Sequence, residues 1–204
     1  MGKRPLEVWR VSGWLLLALV CLYFCLRIFV CDSFIVRGPS MEPNYHDGER
    51  VLAFKIGCGA RIYTNYDFTD PRLGAFRLPG LRPIRKGDVV VFNHPYGVSE
   101  DSISFKINYV LIKRCAGAPG DSVSLAGHEP IYVPRKGDAV RLDSTALRKY
   151  RPQIMYETDI CPAEGDEYVF KSNWYYFLGD NASLSLDSRQ FGLVPESYIV
   201  GRVG

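Results

Sequence analysis

The stretch "VRGPSMEPN", Val36 to Asn44, holds a serine in stiff surroundings: Ser40 follows Gly38-Pro39, precedes Met41, and has Pro43 three residues on. A serine hydroxyl is a weak nucleophile until a base takes its proton. Histidine is the usual base, but the residues around His46 and His94 single out neither. Lysine serves where its pKa falls. Burial lowers it, by up to about 3–5 units, because the ammonium loses its hydration. Lys113 suits that role: it follows "YVLI" and precedes a Gly-Ala-Pro-Gly turn. Strand alternation puts Val110 and Ile112 on one face, and Leu111 and Lys113 on the other. An ammonium beside Leu111 on a buried face is costly, and losing its proton relieves that cost. A lysine on an edge strand, its stem on apolar surface and its amine in water, fits the same pattern.

The other reactive side chains offer less. His46, His94 and His128 have no metal-ligand spacing and no H-E-x-x-H, so neither metal nor cofactor is expected. Cys21, Cys25 and Cys31 lie in or beside an apolar run. Cys58, Cys115 and Cys161 are scattered beyond it without a C-x-x-C pair, and spacing alone leaves open whether any of them are joined.

These residues must be held by elements that the composition partly specifies. The chain has 204 residues, with 25 Lys+Arg against 22 Asp+Glu and a net charge of +3. That balance lacks the clustered basic excess of a nucleic-acid binder. Residues 11–31, "VSGWLLLALVCLYFCLRIFVC", are apolar except for Ser12 and Arg27, about the 20 residues a bilayer-spanning helix needs. Lys3, Arg4 and Arg10 precede the run, so the positive-inside rule puts residues 1–10 in the cytoplasm and the rest of the chain outside. The run is long for a cleaved leader, and no Ala-x-Ala site follows it; Val20-Cys21 is only a faint lipoprotein-like pair, so a retained anchor is expected.

Beyond the anchor, short runs rich in Val, Ile, Tyr and Phe alternate with Gly and Pro, the texture of a mainly β protein. "SFIV" and "ERVLAFKI" read as strands flanking the Ser40 turn. "KGDVVVFNHP" reads as a turn and a fully buried strand, and "NWYYFLGDN" and "SYIVGRV" as further strands. Residues 57–85 lack a period; their Phe68, Phe76, Leu78 and Leu81 suit either the outer leaflet or the domain's own surface. The expected organisation is a β catalytic core from 32–121 and 171–204, with a smaller inserted β subdomain at 122–170 that is more polar and turn-rich.

Four blocks, in order, resemble the bacterial type I signal peptidases, which use a Ser-Lys pair: "RGPSMEP" around Ser40, "KGDVVVF" from Lys86, "IKRCAGAPGD" around Lys113, and "GDNASLSLDSRQFGLVP" from Gly179 to Pro195. They cover roughly a quarter of the chain after the anchor, and the anchor agrees with them. The resemblance implies Ser40 as nucleophile and Lys113 as general base, Ser185 as a hydroxyl that holds the lysine in line, and Asp187 with Arg189 as a structural ion pair. It puts Phe34, Val36 and Ile112 in small apolar pockets that admit alanine-sized side chains. The implied substrates are exported preproteins cut after Ala-x-Ala-like sites, at the outer face of a bacterial inner membrane that the chain crosses once. The sequence departs from the family at Gly38, where some members have a serine that donates to the oxyanion. It departs also at Asn44, where threonine is common, and at Ala182 to Leu184, often charged or polar. Two other functions fit less closely: a specialised Ser-Lys peptidase, such as a conjugation-linked enzyme or a self-cleaving repressor, and a non-catalytic membrane-anchored β domain that binds partners. Oligomeric state is left open.

Overall fold

The computed structural model describes residues 5–64, 74–99, 102–104, 109–127, 129–158, 160 and 162–204. Lys3, Arg4, Phe68, His128 and Cys161 lie outside the described residues. Helix α1 (Pro5–Cys25) runs into a π-helical turn, Leu26–Val30, and then without a spacer into strand β1 (Cys31–Ile35). Residues Ser12–Val30 form a span with mean hydropathy 2.3, none of it buried. Strands β2 (Arg50–Phe54), β3 (Arg61–Tyr63), β4 (Ala75–Arg77), β5 (Val89–Asn93), β6 (Tyr96–Ser99), β7 (Ser102–Ser104) and β8 (Val110–Gly117) follow. Then come β9 (Ser122–Val123), β10 (Ile131–Tyr132), β11 (Ala139–Arg141), helix α2 (Ser144–Thr158) and β12 (Glu167–Val169). Strand β13 (Trp174–Leu178), helix α3 (Ser188–Phe191), β14 (Val194–Pro195) and β15 (Ile199–Val203) complete the chain.

Seven of these strands form one antiparallel sheet in the order β1-β2-β15-β5-β8-β13-β14, so β1 and β14 are its edges. Parity sorts the side chains of "VVVFN" in β5. Val90 and Phe92 enter the main core with Cys115, Trp174, Phe177 and Tyr198, while Val89 and Val91 enter a second cluster with Val36, Met41, Val51, Ala53 and Ile112. A strand buried on both faces needs an unbroken apolar run, and β5 has one. Val36 and Ile112 meet in the second cluster although β1 and β8 lie first and fifth in the sheet, so the sheet curls to bring them together.

Within residues 122–170 the structure adds an element not anticipated above, the 15-residue helix α2. Its sequence, "STALRKYRPQIMYET", is polar on most positions and contains Pro152, which masks the helical period; Tyr150, Gln153 and Ile154 are the buried positions. Glu157 fastens this helix. Its carboxylate accepts from the Ser172 N–H (2.9 Å), the Trp174 indole (2.9 Å), the Lys171 N–H (2.8 Å) and the Tyr168 hydroxyl (2.8 Å). Val123, Val133, Leu142, Ile154 and Phe170 share the main core cluster with the large sheet. The aperiodic stretch after Gly57 contains the β3–β4 hairpin. Phe76 and Leu81 are exposed there, and Arg77 pins the hairpin to the carbonyls of Gly59, Glu196 and Ile199.

The end of the apolar span is tied to the sheet. The Lys55 backbone N–H donates to the Val30 carbonyl (2.7 Å) and its amine to the Arg27 carbonyl (2.6 Å); Arg27 and Asp32 form an ion pair. Cys58 and Cys115 are free thiols, and burial raises the pKa of both, that of Cys115 to about 12.

Candidate active site

Lys113 lies on β8, an interior strand between β5 and β13, which removes the edge-strand alternative. It is 3% exposed, opposite Val90, and its amine donates to Ser40 Oγ at 2.7 Å and to the Ile112 carbonyl at 3.1 Å. Burial pushes its pKa down from 10.5 to about 8, against Asp187 and Asp180, whose charges favour the ammonium. The residues following β1 reverse the chain through Gly38 and a 3₁₀ turn at Pro39–Met41 that carries Ser40. Gly38 has φ of 76°, in the region that favours glycine, which accounts for the absence of a side chain there. Its N–H is committed to the Asp47 carboxylate at 2.7 Å, and Pro39 has none. The Ser40 N–H stands in the first turn of the 3₁₀ segment, where helix geometry supplies no acceptor.

A cleft of about 670 Å³ passes over this pair. Phe34, Val36 and Ile112 line it with Ser40 and Lys113, as do Arg37, Tyr109, Leu184 and Leu186. Val36 and Ile112 are buried and Phe34 is partly so, which gives the floor apolar walls.

Ser185, Asp187 and Arg189 stand behind the pair. Asp187 is fully buried and forms a two-pronged bond with Arg189, Nε to Oδ1 at 2.9 Å and Nη2 to Oδ2 at 2.8 Å; its carboxylate also accepts from the Arg189 and Gly179 N–H groups. Burial alone would raise the Asp187 pKa, but these donors outweigh it and hold the carboxyl below its ordinary value. Ser185 is buried. Its hydroxyl is close enough to Asp187 to help keep it ionised, yet it is aligned for a hydrogen bond with none of the described residues, Lys113 included. A Cβ at Gly179 would come within 2.1 Å of Ser185 Oγ and 2.6 Å of the Ser40 carbonyl oxygen, so glycine there lets the loop approach the nucleophile turn.

A second ion pair escaped the sequence reading. Asp180 takes both prongs of Arg114, at 2.7 and 2.6 Å, and the Asn44 amide at 2.8 Å, so one carboxylate joins the neighbour of Lys113 to the turn after Ser40. The Asn181 N–H adds a bond to the Ser40 carbonyl at 3.1 Å. The signal was present: Arg114 follows Lys113 in "IKRC" and Asp180 opens "GDN", but nothing in sequence spacing pairs residues 66 apart. His46 is exposed beside Glu42. The His94 ring stands edge-on to Tyr109 and Phe191, and burial, then the Lys113 charge, push its pKa down. Among the described residues no three His, Cys, Asp or Glu gather within metal-binding reach.

The profile of the family described as "Signal peptidase, peptidase S26" matches residues 9–204. Signal peptidase IB of Staphylococcus aureus (strain Mu50 / ATCC 700699) is 31% identical over 98% of this chain and 88% of its own length. Signal peptidase I of Bacillus caldolyticus is 28% identical over 95% of this chain and 88% of its own.

Proposed function

Because this chain belongs to the signal peptidase, peptidase S26 family, we propose that it removes signal peptides from exported preproteins with Ser40 as nucleophile and neutral Lys113 as general base. The observation that carries the reading is the 2.7 Å contact between Lys113 Nζ and Ser40 Oγ, with the amine buried and its pKa drawn down to about 8. Neutral Lys113 takes the Ser40 proton as Oγ attacks the scissile carbonyl, and returns it to the leaving amine. The acyl-enzyme then falls to water activated by the same lysine. The Ser40 N–H is the oxyanion donor; with the Gly38 N–H held by Asp47, a second donor must come from outside residues 38–39. Ser185, buried against Gly179 beside the Ser40 turn, is the hydroxyl assigned to keep the lysine in line. The walls of Phe34, Val36 and Ile112 favour small side chains at the residue preceding the cut and at the residue two positions before it, that is, Ala-x-Ala.

Helix α1 holds the enzyme in the bacterial inner membrane with its N-terminus in the cytoplasm, the sheet as catalytic core and residues 122–170 as an insertion. Cleavage of a preprotein bearing Ala-x-Ala by the full chain, and its loss in Ser40→Ala, is the test. Cleavage by folded Ser40→Ala would end the mechanism. Protease added to spheroplasts should digest the domain after Cys31, and its protection would reverse the orientation.

A further inference from the structure

Arg37 lines the cleft, is exposed, and makes no hydrogen bond or ion pair among the described residues. The carboxylates of its own hairpin are turned elsewhere: Asp47 accepts from the Gly38 N–H and Glu49 from the His46 N–H. Arg50, opposite Ile35 on β2, adds a second positive charge to this face and bonds the Ser33 hydroxyl at 3.3 Å.

Strand geometry says which part of a substrate meets this cation. Strand β1 is an edge, paired only with β2. Val36 spends both backbone groups on the hairpin, its N–H on the Glu49 carbonyl (2.8 Å) and its carbonyl on the Gly48 N–H (2.9 Å). Alternation therefore turns the backbone groups of Ile35 and Arg37 to the open side, where an extended peptide can add as a strand. Side chains of such a peptide alternate with those of β1. One set shares the face of Phe34 and Val36, toward the cleft floor. The other shares the face of Ile35, which is 51% exposed, and Arg37. With the two small residues of the cleavage site on the floor, the residue between them lies beside Arg37.

We propose that Arg37 reads the middle residue of the cleavage site, favouring Asp or Glu there and disfavouring Lys or Arg. This rests on the signal-peptide reading above. The pair is exposed to water, so the effect is modest: kcat/KM about two- to five-fold higher for Asp than for Ala, and about as much lower for Lys. It enters mainly through KM, since the contact is the same in the ground and transition states, and it fades with added salt.

The test uses the full chain in detergent with three peptides, Ala-Asp-Ala, Ala-Ala-Ala and Ala-Lys-Ala at the cleavage site, each at low and high salt. The expected order is Asp, Ala, Lys, flattened by salt, flattened in Arg37→Gln and inverted in Arg37→Glu. A merely structural role would scale all three peptides together. Equal cleavage of the three by the wild type, or an order unmoved by salt and by Arg37→Gln, overturns the proposal while leaving the function standing. Failure of the wild type to cut any of the three removes the function and the proposal together. The salt series and Arg37→Gln decide the matter even where Arg37→Glu does not fold.

Discussion

Replacing Asp187 with asparagine keeps the shape of a fully buried side chain and removes its charge. Four N–H donors converge on the carboxylate, two on each oxygen: the Arg189 N–H and Nε on Oδ1, the Gly179 N–H and Arg189 Nη2 on Oδ2. An amide offers one oxygen, so two donors must face an NH₂ group. A buried donor left without an acceptor costs about 1–3 kcal/mol, and breaking a fully buried ion pair about 3–5 kcal/mol. Arg189 is 24% exposed in its side chain and keeps the Ala182 carbonyl at 2.7 Å, which lowers the loss. The expected destabilisation is about 3 kcal/mol, or roughly 6–12 °C in melting temperature for a chain of this size. A second readout follows from charge. Asp187 favours the ammonium of Lys113, so the variant's rising limb of kcat/KM against pH should move to lower pH. A third comes from the carboxyl itself. Its folded pKa is held below the ordinary value of about 3.9. The wild type therefore holds this stability in full above about pH 4 and loses it as the pH falls through the depressed value, while Asp187→Asn shows no such loss. Thermal melts across an acid series, with preprotein cleavage across a neutral-to-alkaline one, measure all three. A melting temperature within error of the wild type, or a rising limb displaced to higher pH, would refute the reasoning.

Wild-type kcat/KM should reach half its maximum near pH 8, with about a tenth of Lys113 neutral at pH 7, and folded Lys113→Arg should be inactive because a guanidinium keeps its proton; an active arginine variant rules the mechanism out. The same shift acts on stability. The native state holds fewer protons than the unfolded chain between about pH 8 and 10.5, so stability rises with pH across that window, and Lys113→Met should be more stable than wild type by about 3 kcal/mol below it, as a denaturant titration at pH 7 will register. Gly179→Ala must displace the Ser40 carbonyl or Ser185, and a nucleophile moved by about 1 Å should cost about 100-fold in kcat with a melting loss of only about 1–3 kcal/mol; unaltered kcat would mean that the loop yields instead. Glu157→Gln should lower stability by about 1–3 kcal/mol while folded molecules keep full activity, since its four donors lie in the helix α2 region rather than at the cleft; calorimetry beside an active-site titration separates the two.

The strands were legible where burial is simple. The apolar run Val89 to Phe92, set between Gly87 and Pro95, reads as a strand covered on both faces, and the parity of residues 110–113 sorts Leu111 and Ile112 into the two clusters they occupy. Ser40 and Lys113 were legible as chemistry, yet their contact across 73 residues depends on the curl of the sheet, which no local pattern encodes. Helix α2 was hidden because a helix fastened by one carboxylate to two backbone N–H groups, an indole and a hydroxyl needs little apolar periodicity. The Asn44–Asp180–Arg114 link was hidden for a related reason: polar residues in two separate turns and on β8 acquire partners only once β8 and β13 lie side by side.

The junction between the apolar span and β1 has a mechanical meaning. A flexible linker of n residues would let a domain roam over about 5–6 Å × √n, but here n is zero: Val30 ends the span, Cys31 begins the sheet, and Lys55 bonds the carbonyls of Arg27 and Val30. The 19-residue span is roughly 28 Å long, close to the hydrocarbon thickness of a bilayer. In a thicker or thinner membrane the mismatch is taken up by tilting or by deforming the lipid. With no slack at the joint, any tilt passes directly to the cleft and changes its height and aim at an arriving peptide. Bilayer thickness thereby becomes a variable of the enzyme, as temperature and pH are.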